Sequence, residues 1–116
     1  MGNKFQFFIA GVQFRPKEEI ARAIDQMDIG DELLLVPEPD NKYDPNAIKI
    51  LSHVFDPASD EYDLVFIGYV PKKYSKLIAV LIIAGDIECT VTQVNPEAKS
   101  HMMIEVLVEG PTQTEE

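Results

Sequence analysis

Residues 33–54 read LLLVPEPDNKYDPNAIKILSHV. It begins with an apolar run, continues with Pro, Asp and Asn residues, and resumes as an alternation of apolar and polar side chains. Short apolar or alternating runs indicate strands, whereas Pro, Asp and Asn mark turns. The stretch therefore predicts two strands, at residues 31–36 and 47–54, joined by a polar loop.

Further strands are predicted on both sides of this stretch. Residues 4–13 are rich in Phe, Ile and Val and predict the first strand. Residues 56–63 are polar and predict an exposed hairpin loop, from which residues 64–70 return as a strand. Residues 86–94 and 101–108 alternate and predict two final strands around a turn.

Two short helices are predicted between the strands. Pro16 and Pro71 each occupy a position typical of a first helical residue. Apolar residues at helical spacing follow each proline, and they predict a core-facing stripe on each helix. In the first helix these residues are Ile20, Ile24 and Met27, and in the second they are Tyr74, Leu77, Ile78, Leu81 and Ile82.

The predicted order is β-α-β-β-β-α-β-β, a mainly β (α+β) fold. The connections between strands are mostly too short for parallel crossovers, which favours a small, partly open, OB-like β-barrel. At 116 residues the chain has the size of one domain. We expect that domain at residues 1–110, followed by an acidic flexible tail at residues 111–116.

The net charge of −10 argues against generic nucleic-acid binding, which depends on neutralising phosphates. The charges are nevertheless segregated along the chain. Acidic residues dominate between residues 28 and 63, whereas two clusters are basic. These clusters are Arg15, Lys17 and Arg22, and Lys72, Lys73 and Lys76. A local positive surface therefore remains possible on an acidic protein.

Cysteine and hydropathy patterns indicate the compartment. A single cysteine, Cys89, excludes an intramolecular disulfide, and its apolar surroundings favour a buried small hydrophobe over a reactive thiol. The longest apolar run, residues 77–84, is far too short to span a bilayer. We expect a cytoplasmic protein with no membrane partner.

Residues 38–50, EPDNKYDPNAIKI, resemble the central motif of the HIRAN family. The flanks resemble the family as well, in GVQF at residues 11–14 and IGYVPK at residues 67–72. The family is best known as the N-terminal module of the helicase-like transcription factor and related DNA-remodelling ATPases, and it also occurs alone in bacterial and phage chains. The resemblance implies an OB-like fold, a role at DNA ends such as repair, and, here, a free-standing copy.

The resemblance also implies a binding site for the 3′-hydroxyl end of single-stranded DNA. Tyr43 matches the motif tyrosine that stacks on a terminal base, and Phe14 falls where a second stacking tyrosine is found. Asp44 matches the aspartate that accepts a hydrogen bond from the terminal hydroxyl.

The polar contacts that the resemblance implies depart in part from the family. Asn41 and Lys72 match further polar contacts near the end. Gln13 falls where the family has an arginine that contacts the phosphate backbone, so this chain lacks that positive charge. Arg15, two residues along the predicted strand, is expected to compensate because it would share a face with Gln13. Lys73 adds a second cation beside Lys72.

Each of these residues also has a structural interpretation. Phe14 could pack in the core, and Asp44 could hydrogen-bond backbone amides of its own turn. The lysines of residues 72–76 could form an ordinary solvated helix face. A different hypothesis is a Mg²⁺ site for phosphoryl chemistry, formed by Glu38, Asp40 and Asp44.

No local pattern of a zinc site or of a catalytic nucleophile is found in the sequence. We therefore expect a non-enzymatic module with no metal or cofactor, whose partners are a single-stranded DNA 3′ end and a DNA-processing protein. The rival hypothesis is a protein-interaction domain of the same fold that has lost tight DNA binding. The position of the acidic residues relative to Tyr43 and Asp44 discriminates between the two.

Overall fold

The computed structural model describes residues 4–110, which form strands around one core and two α-helices. The strands are β1 (Lys4–Phe8), β2 (Glu32–Pro37), β3 (Ile48–Asp56), β4 (Glu61–Tyr69), β5 (Glu88–Val94) and β6 (Ile104–Glu109). The helices are α1 (Lys17–Gln26) and α2 (Lys72–Ala84), with short 3₁₀ helices at Val12–Phe14 and Ser100–Met102. The predicted acidic tail at residues 111–116 lies outside the described residues.

The six strands of residues 4–110 form one antiparallel sheet in the order β1-β6-β5-β2-β3-β4. A reciprocal pair of backbone hydrogen bonds joins its two edges, because Ala10 donates to Tyr69 at 2.9 Å and Tyr69 donates back at 2.8 Å. One bridge closes the sheet only in part. The predicted fold class, mainly β with two short helices in a partly open arrangement, is confirmed.

Strand β3 has the predicted alternation. Ile48, Ile50 and Val54 are buried, and Ser52 is buried between them, so these four side chains share the inner face. Side chains of the other strands complete a core dominated by Ile and Val. The inner face is thus apolar, and the polar side chains of the strands are left for the outer face.

The first strand is shorter than predicted. It ends at Phe8, because Gly11 takes a left-handed conformation (φ 74°) and the chain turns into the 3₁₀ helix. Phe14 then donates to the Gly11 carbonyl at 3.1 Å and Arg15 to the Val12 carbonyl at 3.0 Å. The argument that Gln13 and Arg15 share a strand face was therefore wrong.

The loop predicted at residues 56–63 is also too long. Strands β3 and β4 pair out to Asp56 and Glu61, so only residues 57–60 form the turn. Cross-strand pairing overrode the polar composition that suggested a loop. The last strand starts three residues later than predicted, since Ser100–Met102 forms the second 3₁₀ helix.

The apolar stripe predicted for α1 is confirmed, because Ile20 and Met27 are buried and Ile24 packs against the core. The stripe predicted on α2 is confirmed at Tyr74, Ile78 and Ile82, which lie in or against the core, and is wrong at Leu77. Ile78 and Ser75 are its buried residues, whereas Leu77 is 56% exposed. Successive helical residues point about 100° apart, so a face centred on Ile78 turns Leu77 outward.

Cys89 is buried, as predicted, and burial raises the pKa of its thiol to about 12, with a smaller contribution from Glu32. The thiol is therefore protonated at neutral pH. Within residues 4–110, no helix is long and apolar enough to cross a bilayer.

Candidate functional site

The loop between β2 and β3 is a compact, hydrogen-bonded turn. Its two ends are joined because Glu38 N–H donates to the Ala47 carbonyl at 2.8 Å. Inside it, Asn41 N–H donates to the Glu38 carbonyl at 3.0 Å and Ala47 N–H to the Asp44 carbonyl at 2.9 Å. We call residues 38–47 the β2–β3 turn. These bonds give the turn a defined shape despite its two prolines.

Asn41 holds the centre of this turn through its side chain. Its Oδ1 accepts the backbone N–H groups of Tyr43 (2.8 Å) and Asp44 (3.0 Å), and its Nδ2 donates to Glu38 Oε1 at 2.8 Å. One amide thereby fixes the backbone of both residues that the sequence nominated for end recognition. Its role as a turn former is established, and a direct contact with a ligand remains a prediction.

Asp44 is fixed at both carboxylate oxygens. Oδ1 accepts the N–H of Asn46 at 2.9 Å, and Oδ2 accepts the hydroxyl of Ser75 at 2.9 Å. Ser75 is 2% exposed and lies in the first turns of α2, where its hydroxyl is also 3.0 Å from the Lys72 carbonyl. The backbone role proposed for Asp44 is thus real, and its half-buried carboxylate retains lone pairs for a further donor.

Two aromatic side chains of the predicted site, Tyr43 and Phe14, lie outside the core. Tyr43 is 87% exposed on the β2–β3 turn, and Phe14 is 80% exposed at the end of the first 3₁₀ helix. The alternative that Phe14 packs in the core was therefore wrong. Large, solvent-facing aromatic rings supply flat apolar faces on which a planar group can stack.

A second group of side chains lies between Phe14 and the turn, on the outer face of the sheet. The Arg15 guanidinium lies 3.9 Å from the Phe66 ring centre, and its Nε donates to the Phe66 carbonyl at 3.1 Å. Phe66 packs edge-on against Tyr69, with ring centres 5.2 Å apart. Lys49 Nζ lies 5.1 Å from the Phe66 ring centre.

Tyr69 completes the connection to the turn, since its hydroxyl donates to Glu38 Oε1 at 2.7 Å. The contacts therefore run without interruption from Arg15 through Phe66, Tyr69 and Glu38 to Asn41. They link the segment that carries Phe14 to the turn that carries Tyr43 and Asp44.

The charge state of this network follows from its hydrogen bonds. Donation from Asn41, and then from Tyr69, lowers the pKa of the Glu38 carboxyl. Burial, and then the bond to Glu38, raises the pKa of the Tyr69 hydroxyl. At neutral pH the pair is thus a carboxylate and a neutral phenol. The positive charge of Lys49, whose Nζ lies 3.9 Å from Glu38 Oε2, compensates the negative charge of the Glu38 carboxylate.

Comparison with known proteins agrees with this architecture. The HIRAN domain family model matches residues 3–110, nearly the whole chain. The chain belongs to the HIRAN family. A Fanconi-associated nuclease 1 homolog of Arabidopsis thaliana is 29% identical over 108 residues, which are 91% of this chain and 10% of that protein. This HIRAN domain thus spans about a tenth of the length of that relative.

Two solved structures share the fold. The HIRAN domain of human HLTF has a TM-score of 0.59 and 15% identity, over 92% of this chain and 74% of that chain. A protein from Lactobacillus plantarum has a TM-score of 0.62 and 20% identity, over 94% of this chain and 97% of that chain. At such identities the likeness establishes the fold. HIRAN domains are generally nucleic-acid-binding modules, and this chain is a member of that family.

The acidic end of the HIRAN domain lies away from the β2–β3 turn. Lys49 pairs with Tyr69 at the turn end of the β3–β4 hairpin, whereas Asp56 pairs with Glu61 at its tip. Seven residues of strand separate the two ends, a distance of about 23 Å. This exceeds the Debye length of about 8–10 Å at physiological salt, so the tip acids are screened from the turn.

The Mg²⁺ hypothesis finds no support in this geometry. Within residues 4–110, no three His, Cys, Asp or Glu side chains lie close enough together to hold a metal ion. Glu38 is occupied by Asn41, Tyr69 and Lys49, and Asp44 by Asn46 and Ser75.

The sequence prediction missed Phe66, Tyr69, Lys49 and Ser75. Phe66 and Tyr69 are three residues apart, and a regular strand would point them to opposite faces. The consecutive β3 residues Ile50 and Leu51 pair with Gly68 and Phe66, so Ile67 is an extra residue that forms a β-bulge in β4 and changes this phase. Gly68, an isolated glycine inside the strand pattern, is the sequence signal that could have indicated the bulge, and the alternation of β3 already placed Lys49 outside.

Proposed function

We propose that this HIRAN domain is a non-catalytic module that binds the 3′-hydroxyl end of single-stranded DNA. The observation that carries the proposal is the placement of Asp44. Its carboxylate is held by two hydrogen bonds, and its backbone is clamped by Asn41 together with that of the exposed Tyr43. A hydrogen-bond acceptor and a stacking surface are thus prearranged side by side.

The two residues have separate roles in this proposal. Tyr43 stacks on the terminal base, which contributes about 1–3 kcal/mol and does not depend on base identity. Asp44 accepts the hydrogen bond of the terminal hydroxyl. A 3′-phosphate would place two negative charges together, and an internal phosphodiester has no hydroxyl to donate, so Asp44 selects free ends.

Cations around the turn balance its acidic side chains. Ser75 ties Asp44 to the start of α2, where Lys72 and Lys73 are exposed and within reach of a backbone phosphate. Arg15 lies on the Phe66 ring and adds a third cation, and Phe14 offers the second aromatic ring. Gln13 is exposed beside Phe14 and contributes a neutral hydrogen bond where the family pattern has a charge.

The rival, a protein-interaction domain, requires carboxylates to dominate the Tyr43 surface. Asp40 is exposed there, but Glu38 is paired with Lys49, and the acids of the hairpin tip are about 23 Å distant by strand length. The Arabidopsis relative is named a nuclease and is about ten times longer, so a DNA-processing protein that uses the bound end is the partner we propose.

The test is fluorescence anisotropy at low salt with two matched single strands, one ending in a 3′-hydroxyl and one in a 3′-phosphate. We expect the hydroxyl strand to bind about tenfold more tightly or better, the difference expected of a hydrogen bond to a charged group. Asp44→Ala should abolish hydroxyl-dependent binding, and Asp44→Asn should lower the ratio of the two affinities.

The matched control is Asp40→Asn, which removes the same charge from an exposed position of the same turn. It should keep the wild-type preference for the hydroxyl. If the folded wild type binds both strands equally, end recognition is refuted and DNA binding without end preference remains. If it binds neither strand, the protein-interaction hypothesis takes its place.

A further inference from the structure

A cleft of about 670 Å³ lies beside the segment that carries Phe14. Helix α1 forms its apolar side through Ile20, Ala21 and Ile24, and the connection between β5 and β6 faces them with Pro96 and Met103. A cleft of this size, with mainly apolar walls and a few polar groups, has the dimensions of a ligand site. We call it the α1 cleft.

The α1 cleft adjoins the proposed end site. Gln13 and Arg15 both line it, and the exposed ring of Phe14 lies between them in sequence. The same Arg15 stacks on Phe66, the first member of the contacts that lead to Asn41. Arg15 is therefore a wall shared by the cleft and the outer face of the sheet.

The charges along the cleft suit a polyanion that carries flat apolar groups. Arg15 and Lys17 line it, with Asp25 as the acid among the lining residues. Apolar walls can contact the faces of bases, while the two cations lie near the phosphates that join them. This combination is the one used in sequence-tolerant binding of single strands.

We propose that the α1 cleft holds the nucleotides that precede the terminal one, so that the strand passes from Tyr43 across Phe14 and Arg15 into the cleft. The proposal rests on the proposed function and adds a second subsite to it. It predicts that a longer strand binds more tightly and contacts Ile20 and Ala21 of the cleft, whereas recognition of the terminal nucleotide alone leaves these residues unaffected.

The first experiment compares an unlabelled thymidine dinucleotide with a thymidine octanucleotide, both with a free 3′-hydroxyl, by calorimetry and by chemical-shift titration. We expect the octanucleotide to bind about tenfold more tightly or better, because further bases find stacking surface. Its titration should shift the backbone amides of Ile20 and Ala21, and the dinucleotide should leave them unchanged.

The second experiment uses Ala21→Glu, which places a carboxylate in the cleft at an exposed position of α1. This variant should lose most of the advantage of the octanucleotide and keep the affinity of the dinucleotide. The matched control is Ala84→Glu, the same substitution at an exposed helical alanine that does not line the cleft. It should behave as wild type with both strands.

Two failures can be told apart. If the dinucleotide binds with hydroxyl preference but the octanucleotide binds no better, or Ala21→Glu has no effect, the cleft proposal is wrong and the end site stands. If the folded protein binds neither strand, the proposed function falls and the cleft proposal falls with it.

Discussion

Ser75 donates a hydrogen bond of 2.9 Å to the Oδ2 atom of Asp44, across 31 residues of sequence. The bond joins the β2–β3 turn to the first turns of α2, and Ser75 itself is buried. It fixes the plane of the carboxylate, because Asn46 N–H holds the other oxygen. Ser75 is therefore a positioning residue for the group that we propose to select the 3′-hydroxyl.

Ser75→Ala should reduce the preference for a 3′-hydroxyl over a 3′-phosphate by about threefold or more, since a hydrogen bond to a charged group is worth about 1.5–3 kcal/mol and part of that energy holds the carboxylate in place. The measurement is the ratio of the two affinities, which a general loss of stability would not change. Ser59→Ala, at an exposed serine of the hairpin tip, is the control. An unchanged ratio in Ser75→Ala would show that Asp44 needs no such support.

Asn41→Ala should both destabilise the domain and weaken DNA binding. It removes the acceptor of two backbone N–H groups and the donor to Glu38, so we expect a loss of about 1–3 kcal/mol in the free energy of unfolding. Urea unfolding measures it. The control is Asn46→Ala in the same turn. This variant keeps the hydrogen bond from the backbone N–H of residue 46 to Asp44 and should lose much less unfolding free energy. Equal losses in the two variants would contradict the role of Asn41 as a clamp.

The Glu38 network should make stability depend on acid pH. The folded-state pKa of Glu38 is lowered from its ordinary 4.5, so the folded state releases its proton more readily than the unfolded state. Its contribution is therefore complete above pH 4.5 and is lost as the pH falls through the folded-state pKa. Urea unfolding between pH 7 and pH 3 should show this loss.

Glu38→Gln should flatten that acid dependence, whereas Glu97→Gln, at an exposed turn residue, should retain it. The comparison is made between slopes of unfolding free energy against pH, so a constant loss of stability in Glu38→Gln does not affect it. A wild-type slope in Glu38→Gln would mean that the network does not hold the carboxylate in its charged form.

Gly68→Ala should open the seam between β1 and β4. A Cβ atom at residue 68 would lie 2.5 Å from the Ala10 carbonyl oxygen and from the Ile9 side chain, and the backbone oxygen cannot move aside cheaply. We expect a loss of about 1–3 kcal/mol, as for other overpacked sites. Thermal unfolding measures the stability, and amide hydrogen exchange at Ala10 and Tyr69 reports the seam. Unchanged protection of both amides would refute the explanation.

Local patterns predicted most of the elements, and the errors have definite causes. The alternation in β3 and the stripe on α1 gave correct faces because each depends on the period of one element. The end of β1 was misplaced because Gly11 turns the chain by a left-handed conformation that apolar content does not encode. On α2 the predicted face was right at Tyr74, Ile78 and Ile82, but Leu77 was wrongly included because the helix has more apolar residues than its core-facing side can hold.

The candidate site also has a part that the sequence predicted and a part that it did not. The motif at residues 38–50 nominated Asn41, Tyr43 and Asp44, and the structure joins them in one turn by bonds between near neighbours. The hydrogen bonds from Ser75 to Asp44 and from Tyr69 to Glu38 join residues about thirty positions apart. They depend on the packing of α2 and on the bulge in the β3–β4 pairing.

The class of fold, the polar turn and the family could be predicted from the sequence, because they depend on local periodicity and on residues close together in the chain. Which side chains share a surface could be seen only in the folded structure. The register of paired strands, the closure of the sheet at Ala10 and Tyr69, and the face of α2 turned to the core are set by contacts between distant segments. A one-residue change of register moves a side chain to the other face of a sheet. A bulge has the same effect on the residues that follow it in the strand.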